Sequence, residues 1–329
     1  MREFTIGKND AGQRLDRWLG KCLPLLPAPL AQKYIRLKRV KVNGKGSKRD
    51  CRLALGDLLQ LYINDEFFDT PSEENAFLSI FQPQLDIVYE DENLLVVNKR
   101  PGLLCHPDQG EYVNTLITHI QAYLYQKKEW SPKWEHSFAP ALCNRIDRNT
   151  GGMVLAAKNA ETLRILNDKI RDREIGKFYL AVILGKMTPP QGKLEGFLLK
   201  DEAKKQVSVY TKPVPGGKSA ATLYKTLGIS GGLSLVECEL LTGRTHQIRA
   251  QFAHAGHPLV GDGKYGLSAE NKRYGRTRQC LWSYKLTFDF PTDAGSLSYL
   301  KGKTLTVDPG EIDFVTEWFP LVKFLPETH

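Results

Sequence analysis

The 329-residue sequence lacks several signals that would point to common classes of protein. It has no Cys-x-x-Cys pair, no Gly-x-x-x-x-Gly-Lys-Ser/Thr loop and no apolar run near the roughly 20 residues that cross a bilayer. These absences argue against a zinc ribbon, a P-loop nucleotide site and a membrane-spanning helix. The amino-terminal "MREFTIGKND" also lacks the apolar core of a secretory signal, so we expect a cytoplasmic protein.

A metal site is equally poorly supported. The six cysteines are scattered, as is usual for reduced thiols. His254 and His257 lie close together, but no neighbouring glutamate completes a metalloprotease pattern. The sequence therefore predicts no metal ion. Its 41% hydrophobic and 25% charged residues are ordinary for a globular protein, and its length suggests about two domains.

Positive charge is concentrated at the amino-terminal end. The first 62 residues contain 14 basic and 5 acidic side chains, whereas the remaining 32 basic and 32 acidic side chains balance. The densest stretch lies between residues 33 and 52 and has one acid, Asp50. A surface of a single sign attracts phosphate, so the sequence favours RNA or DNA contact over a merely solvated face. The candidate contact residues are Lys33, Arg36, Lys38, Arg39 and Lys41.

The same region has the pattern of a small folded unit. Leu15, Trp18 and Leu19 are spaced as on one helical face, and "LAQKYIRLKRV" predicts a second short helix. "VKVNGK" predicts a hairpin that turns at Asn43-Gly44. We therefore predict a small nucleic-acid-binding domain over residues 1–63. Residues 64–84 have no clean periodicity and are predicted to be a linker or a loosely docked segment.

Residues 85–329 are predicted to form a second, larger domain. Strand-like and helical segments follow one another without regular alternation, which favours an α+β fold with a central, mixed and largely antiparallel sheet flanked by helices. One predicted helix begins at the N-cap candidate Asn159, and another lies in "GRTHQIRAQFAHAG", with Ile248 and Phe252 facing inward.

The stretch "NRIDRNTGG", residues 144–152, has the pattern of a chemically active loop. Asp147 lies between Arg145 and Arg148 and is followed by two glycines that would permit close approach of a ligand. A well-positioned carboxylate can act as a nucleophile or base at a sugar carbon. The alternative is an Asx turn or a loop ion pair. Hydrolysis by paired carboxylates would need a second acid, such as Glu161 or Asp262, and the sequence does not place either one opposite Asp147.

Two family resemblances narrow these alternatives. "RLDRWL", "QKYIRLKRVKVNGK" and "GDLLQL" resemble the alpha-L RNA-binding motif of a small-subunit ribosomal protein and of many RNA-modifying enzymes. Residues 85–290 resemble the RluA family of RNA pseudouridine synthases. That resemblance rests on "NKRPGLLCHP", "NRIDRNTGGMVLAAKN", "KFYLAVILG" and "LLTGRTHQIRAQFAHAGHPLVGDGKYG", which occur in this order. The family usually has His-Arg-Leu-Asp where this chain has Asn144-Arg145-Ile146-Asp147.

The resemblance implies an enzyme that isomerises uridine to pseudouridine in RNA without a cofactor. It implies that Asp147 is the catalytic carboxylate, either as a nucleophile at the anomeric carbon or as a base at the neighbouring carbon. It implies that Arg244 pairs with Asp147 and that Tyr179 stacks on the target base. It also implies that Arg145 occupies the space left when the uridine swings out.

The remaining expectations concern partners. Arg148, Lys99 and His106 are further RNA-binding candidates, of which the last two could simply line the cleft. The resemblance and the basic domain favour large-subunit ribosomal RNA as the substrate, and a monomer is the default. A non-catalytic RNA-binding factor in ribosome assembly and a glycoside hydrolase remain as alternatives, both disfavoured by the motif residues.

Overall fold

The computed structural model describes residues 1–23, 26–68 and 72–324. Up to residue 63, the described residues form two helices and a four-stranded antiparallel sheet, in the strand order β1-β4-β2-β3. These elements are β1 (Arg2–Thr5), α1 (Leu15–Cys22), α2 (Ala28–Arg36), β2 (Val40–Val42), β3 (Lys45–Gly46) and β4 (Leu58–Leu61).

The predicted helical face of α1 is buried. Leu15, Trp18 and Leu19 have no exposed surface and form a separate hydrophobic core with the small sheet. Asn43 and Gly44 both have positive φ, at 51° and 76°, as a two-residue turn of this hand requires. The local sequence therefore determines this hairpin directly.

The rest of the chain forms the larger sheet and its flanking helices. These strands are β5 (Ile87–Glu90), β6 (Leu94–Lys99), β7 (Ala141–Leu142), β8 (Gly151–Ala157), β9 (Ile175–Leu184), β10 (Gln191–Asp201), β11 (Gln206–Tyr210), β12 (Lys218–Ser230), β13 (Leu233–Leu240), β14 (Leu281–Phe288) and β15 (Thr304–Thr306). The helices are α3 (Leu116–Gln126), α4 (Ala160–Arg171), α5 (Gln247–His254), α6 (Ser268–Arg273) and α7 (Asp313–Trp318).

The large sheet runs β11-β10-β12-β13-β9-β14-β8-β6-β5, with β15 beside β14 and β7 beside β8. Among the described strands, β8 and β14 pair in parallel and the other neighbours pair antiparallel. Its two faces pack against separate hydrophobic clusters, under α3 and α5 on one side and α4 and α7 on the other. The predicted α+β class with a mixed, largely antiparallel sheet is confirmed.

The segment between the two sheets is packed against both. Short 3-10 helices span Asp65–Phe68 and Ser72–Ser79, and residues 69–71 of the predicted linker lie outside the described residues. The ring of Phe68 stacks on Phe4, whereas Phe77 is buried in the core beneath α3. The domain boundaries at 63 and 84 stay predictions, but the described part of this segment is docked on the cores at either end.

Polar contacts also join the first unit to the larger one. Asn9 Nδ2 donates to Glu135 Oε1 at 2.8 Å, and Asn9 Oδ1 accepts from Ala160 N at 2.9 Å at the start of α4. Gln13 Nε2 donates to Ser137 Oγ at 2.8 Å. Asn159 caps the same helix by accepting from Thr162 N, which confirms the predicted N-cap.

Candidate active site

Asp147 lies in the loop between β7 and β8, and that loop is fixed at several points. Asn144 Oδ1 accepts from Leu155 N at 2.7 Å, which ties the start of the loop to β8. Ile146 is 7% exposed and packs into the core, whereas Asp147 lines the adjoining cavity. Asn144 thus has a structural role at the position where the family usually has histidine.

The two glycines after the loop are required by the neighbouring strand. A Cβ on Gly152, whose φ is 111°, would lie 2.2 Å from Ser283 O. A Cβ on Gly151 would lie 2.3 Å from the Trp282 ring. Both neighbours belong to β14, which pairs here in parallel with β8. The packing of the sheet therefore needs both glycines, and close approach of a ligand at this point stays a prediction.

Lys99 holds the loop from beneath. It is 1% exposed, and its Nζ donates to the carbonyl oxygens of Leu103, Arg148 and Arg100 at 2.8, 3.0 and 3.1 Å. Burial lowers the pKa of Lys99 to about 8. The prediction that Lys99 contacts RNA is wrong, because the ammonium is enclosed by backbone. Its position explains instead how the "NKRPG" segment supports the Asp147 loop.

The guanidinium that pairs with Asp147 belongs to Arg249 on α5. Arg249 Nη1 donates to Asp147 Oδ2 at 2.7 Å. The other edge of the same group makes a two-point contact with Asp262, from Nε at 2.7 Å and from Nη2 at 2.9 Å. Burial opposes the charge of Arg249, but its hydrogen bonds and ion pairs with Asp262 and Asp147 raise its pKa overall.

The expected pairing of Arg244 with Asp147 is therefore wrong. Arg244 lies before the first turn of α5, is exposed, and donates from Nε to Ser219 O at 3.0 Å. Helix α5 begins at Gln247, three residues after Arg244. Arg244 still lines the same cavity as Asp147. Its part in catalysis therefore stays a prediction, but without the direct ion pair to Asp147.

Asp262 is not available as a second catalytic acid. It has no exposed surface, both of its oxygens bind Arg249, and Oδ1 also accepts from the backbone N–H groups of Lys264 and Tyr265. Burial opposes its charge, but these hydrogen bonds lower its pKa overall. A carboxylate in this environment holds an arginine in place and does not donate a proton to a leaving group.

Asp147 opens into a cavity of about 320 Å³. Its carboxylate is 27% exposed, in contrast to the 6% exposure of the Arg249 side chain behind it. Tyr179 on β9 lines the same cavity and is 5% exposed. Burial and the nearby charge of Asp147 raise the pKa of Tyr179, which keeps its hydroxyl protonated. A half-open pocket with an aromatic wall, a carboxylate and a cation suits a flat polar base attached to a sugar.

The other predicted side chains are more dispersed. Arg145 is exposed and lines the cavity beside Asp147. Arg148 is exposed, and its Nε donates to Gly102 O at 3.1 Å, which directs the side chain back onto the protein. His106 is exposed in the loop after β6. Contact of these three residues with RNA stays a prediction.

The basic residues of the first unit form an open surface. Lys33, Arg36, Lys38 and Arg39 are exposed, and no ion pair among the described residues engages them. Arg39 lies 5.2 Å from the centre of the Tyr34 ring and half-buried Lys41 lies 5.1 Å from that of Tyr62. Cations that no carboxylate neutralises retain their full attraction for phosphate.

The described residues lack two other kinds of feature. No group of three or more histidine, cysteine, aspartate or glutamate side chains is arranged to hold a metal ion. None of the described helices has the length and apolar character needed to cross a membrane.

Sequence reasoning missed two residues of this site, Arg249 and His246. A usable signal existed for Arg249, which lies three residues before inward-facing Phe252 and so shares its helical face. His246 precedes α5 in the left-handed conformation, with φ of 53°, and its Nε2 lies 3.9 Å from Asp147 Oδ2. That backbone conformation is uncommon for histidine and could not be anticipated from periodicity.

Comparisons of sequence and fold with known proteins match one class of enzyme. The family model for RNA pseudouridylate synthase matches residues 93–254. A ribosomal large subunit pseudouridine synthase D of Neisseria meningitidis is 32% identical over 305 residues, covering 90% of this chain and 77% of that protein. An uncharacterised RNA pseudouridine synthase of Mycoplasma genitalium is 30% identical over 289 residues, covering 87% and 88% of the two chains.

A solved structure agrees at the level of the fold. Human RNA pseudouridylate synthase domain containing 1 superposes with a TM-score of 0.56 at 22% identity, over 74% of this chain and 92% of that one. Together with the relatives, these findings place the chain among the enzymes that isomerise uridine in RNA. It belongs to the RluA family of RNA pseudouridine synthases.

Proposed function

We propose that this enzyme converts uridine to pseudouridine in large-subunit ribosomal RNA, with Asp147 as the catalytic carboxylate. The observation that carries the proposal is the Asp147–Arg249 pair, joined at 2.7 Å and opening into the cavity that Tyr179 lines. Relatives named as large-subunit pseudouridine synthases, such as that of Vibrio vulnificus at 31% identity, support this choice of substrate.

The reaction detaches uracil from ribose and rejoins it through a ring carbon. The product is an isomer of the substrate, so the reaction consumes neither water nor a redox equivalent, and we propose that no cofactor takes part. Asp147 either attacks the anomeric carbon or removes a proton from the neighbouring carbon. Arg249 fixes the carboxylate in both cases, because Asp262 prevents the guanidinium from turning.

The uridine must leave the RNA stack to reach Asp147. We propose that uracil stacks on Tyr179 and that exposed Arg145, at the rim of the cavity, fills the space vacated in the RNA. We propose that exposed Arg148 and His106 contact the RNA strand, and that Arg244, which lines the cavity, assists catalysis. The domain of residues 1–63 binds RNA through Lys33, Arg36, Lys38, Arg39 and Lys41, and the domain of residues 85–329 carries out the chemistry.

We further propose that the protein acts as a cytoplasmic monomer on ribosomal RNA. The direct test is to map pseudouridine in large-subunit RNA from cells with and without this protein. One or a few sites should revert to uridine when the protein is absent. An unchanged large-subunit map, with sites lost from transfer RNA instead, would reassign the substrate, and no change in any RNA would favour a non-catalytic role in ribosome assembly.

A further inference from the structure

His246 lies beside the carboxylate of Asp147. Its side chain is 13% exposed, lines the cavity, and places Nε2 at 3.9 Å from Asp147 Oδ2. That separation is too long for a direct hydrogen bond. The other ring nitrogen, Nδ1, lies 2.9 Å from the hydroxyl oxygen of Tyr265.

The contacts of Tyr265 favour one tautomer of His246. Val207 N donates to the Tyr265 hydroxyl oxygen at 2.7 Å, so this oxygen already accepts one hydrogen bond. The hydroxyl proton then has His246 Nδ1 as its partner among the contacts of the described residues. If Nδ1 accepts that proton, the neutral ring carries its own hydrogen on Nε2, and this N–H faces the cavity.

Several charged groups surround the ring. Burial lowers the pKa of His246, and the charges of Arg249 and Lys264 lower it further, whereas the charges of Asp147 and Asp262 oppose this. The ring is therefore neutral near pH 7, as the tautomer requires. A carboxylate acceptor and an imidazole donor thus face one point in the cavity.

The chemistry of that point selects its ligand. His246 Nε2 and Asp147 Oδ2 are 3.9 Å apart, so one ligand atom can lie about 2.8 Å from both of them. The two hydrogen bonds would then meet at that atom at an angle of about 90°. The atom must accept from Nε2–H and donate to the carboxylate, which a hydroxyl does and a uracil carbonyl does not. In an internal nucleotide the 3′ and 5′ oxygens are esterified, so the free hydroxyl is the 2′-OH.

We propose that His246 is a specificity residue that binds the 2′-hydroxyl of the target ribose together with Asp147, and so requires RNA at this position. The proposal rests on the proposed function, since it assumes that the ribose of a uridine lies against Asp147. Tyr265 is the positioning residue, because its hydroxyl fixes the direction of the Nε2–H bond.

The test compares two RNAs in binding assays with protein carrying Asp147→Asn, which retains a side-chain oxygen. The RNAs are a stem-loop with the mapped target uridine and the same stem-loop with 2′-deoxyuridine there. We expect the 2′-deoxy RNA to bind roughly 5- to 150-fold more weakly, the range for two net hydrogen bonds of about 0.5–1.5 kcal/mol each. Adding His246→Asn, which suits the left-handed backbone but lacks the distal N–H, should reduce this ratio by about 2- to 12-fold, the contribution of one net hydrogen bond.

His246→Gln is the matched variant, because its amide nitrogen restores a donor near the position of Nε2, and it should keep most of the discrimination. Three results would overturn the proposal: no discrimination in the parent protein, an unchanged ratio in His246→Asn, or equal weakening of both RNAs, as a purely structural role predicts. Conversion of the uridine RNA by the wild-type enzyme is measured first, so a failure of the proposed function is recognised separately.

Discussion

The pairing of Arg249 with Asp147 can be tested by replacing Arg249 with lysine. The guanidinium spans two carboxylates through three hydrogen bonds of 2.7, 2.7 and 2.9 Å. An ammonium keeps the positive charge beside buried Asp262 but cannot reach both partners in this forked geometry. The bond to Asp147 is the one we expect to be lost, because Asp262 is fully buried and Asp147 is partly exposed.

A charge-assisted hydrogen bond contributes about 1.5–3 kcal/mol, so its loss from the reacting carboxylate should lower the rate roughly 10- to 100-fold. The assay is single-turnover formation of pseudouridine, which separates chemistry from product release. Thermal unfolding monitors the fold, which Arg249→Lys should largely preserve. Arg249→Met, in contrast, leaves Asp262 uncompensated and should destabilise the protein by about 3–5 kcal/mol.

Arg276 provides a matched control. It also bridges two carboxylates, Asp313 and Glu317, but both of these are mostly exposed. Arg276→Lys should leave the single-turnover rate unchanged and cost about 0–1 kcal/mol of stability, since such pairs are screened by solvent. A wild-type rate in Arg249→Lys would refute the reasoning, as would a larger loss of rate in Arg244→Gln than in Arg249→Lys.

Three further predictions follow from other parts of the molecule. Tyr179→Phe should keep RNA affinity because it keeps the ring, whereas Tyr179→Leu should weaken binding by about 1–3 kcal/mol; equal affinities would contradict base stacking. Burial lowers the pKa of Lys99 to about 8, against about 10.4 in the unfolded chain. Between about pH 8 and pH 10 the unfolded chain therefore binds more protons at Lys99 than the folded protein does. The contribution of Lys99 to the free energy of unfolding consequently rises with pH in this range. Lys99→Met should lack this rise, and parallel pH–stability curves would contradict it. Neutralising four exposed cations should reduce the slope of log affinity against log salt concentration by up to about 3–4 units. An unchanged slope would show that this surface does not bind phosphate. The substitutions are Lys33→Gln, Arg36→Gln, Lys38→Gln and Arg39→Gln.

The features that the sequence predicts well depend on neighbouring residues. Asn43-Gly44 forms its turn through its own backbone preferences, and Asn159 caps α4 through a bond three residues away. The apolar spacing of α1 likewise determines which face is buried. The mixed sheet follows from the absence of regular βα alternation. The loop of Asp147 was also identifiable, because its composition is unusual over nine consecutive residues.

The features that the sequence predicts poorly depend on distant packing. The choice of Arg249 over Arg244 is made by Asp262, which contacts α5 from the following loop. The need for Gly152 arises from β14, which lies about 130 residues further along the chain. Lys99 resembles a surface cation in sequence, yet the loops of residues 100–103 and 148 enclose its ammonium. Asp262, β14 and the Arg148 carbonyl that accepts from Lys99 all lie beyond the reach of local periodicity.

The central claim is that the carboxylate of Asp147 breaks and remakes the bond between uracil and ribose. The most direct measurement incubates purified wild-type protein and Asp147→Asn with large-subunit ribosomal RNA and quantifies pseudouridine at each position. We expect the wild type to isomerise a defined uridine and Asp147→Asn to form no detectable product while binding the RNA with similar affinity. Pseudouridine formation by Asp147→Asn at a rate near that of the wild type would contradict the account.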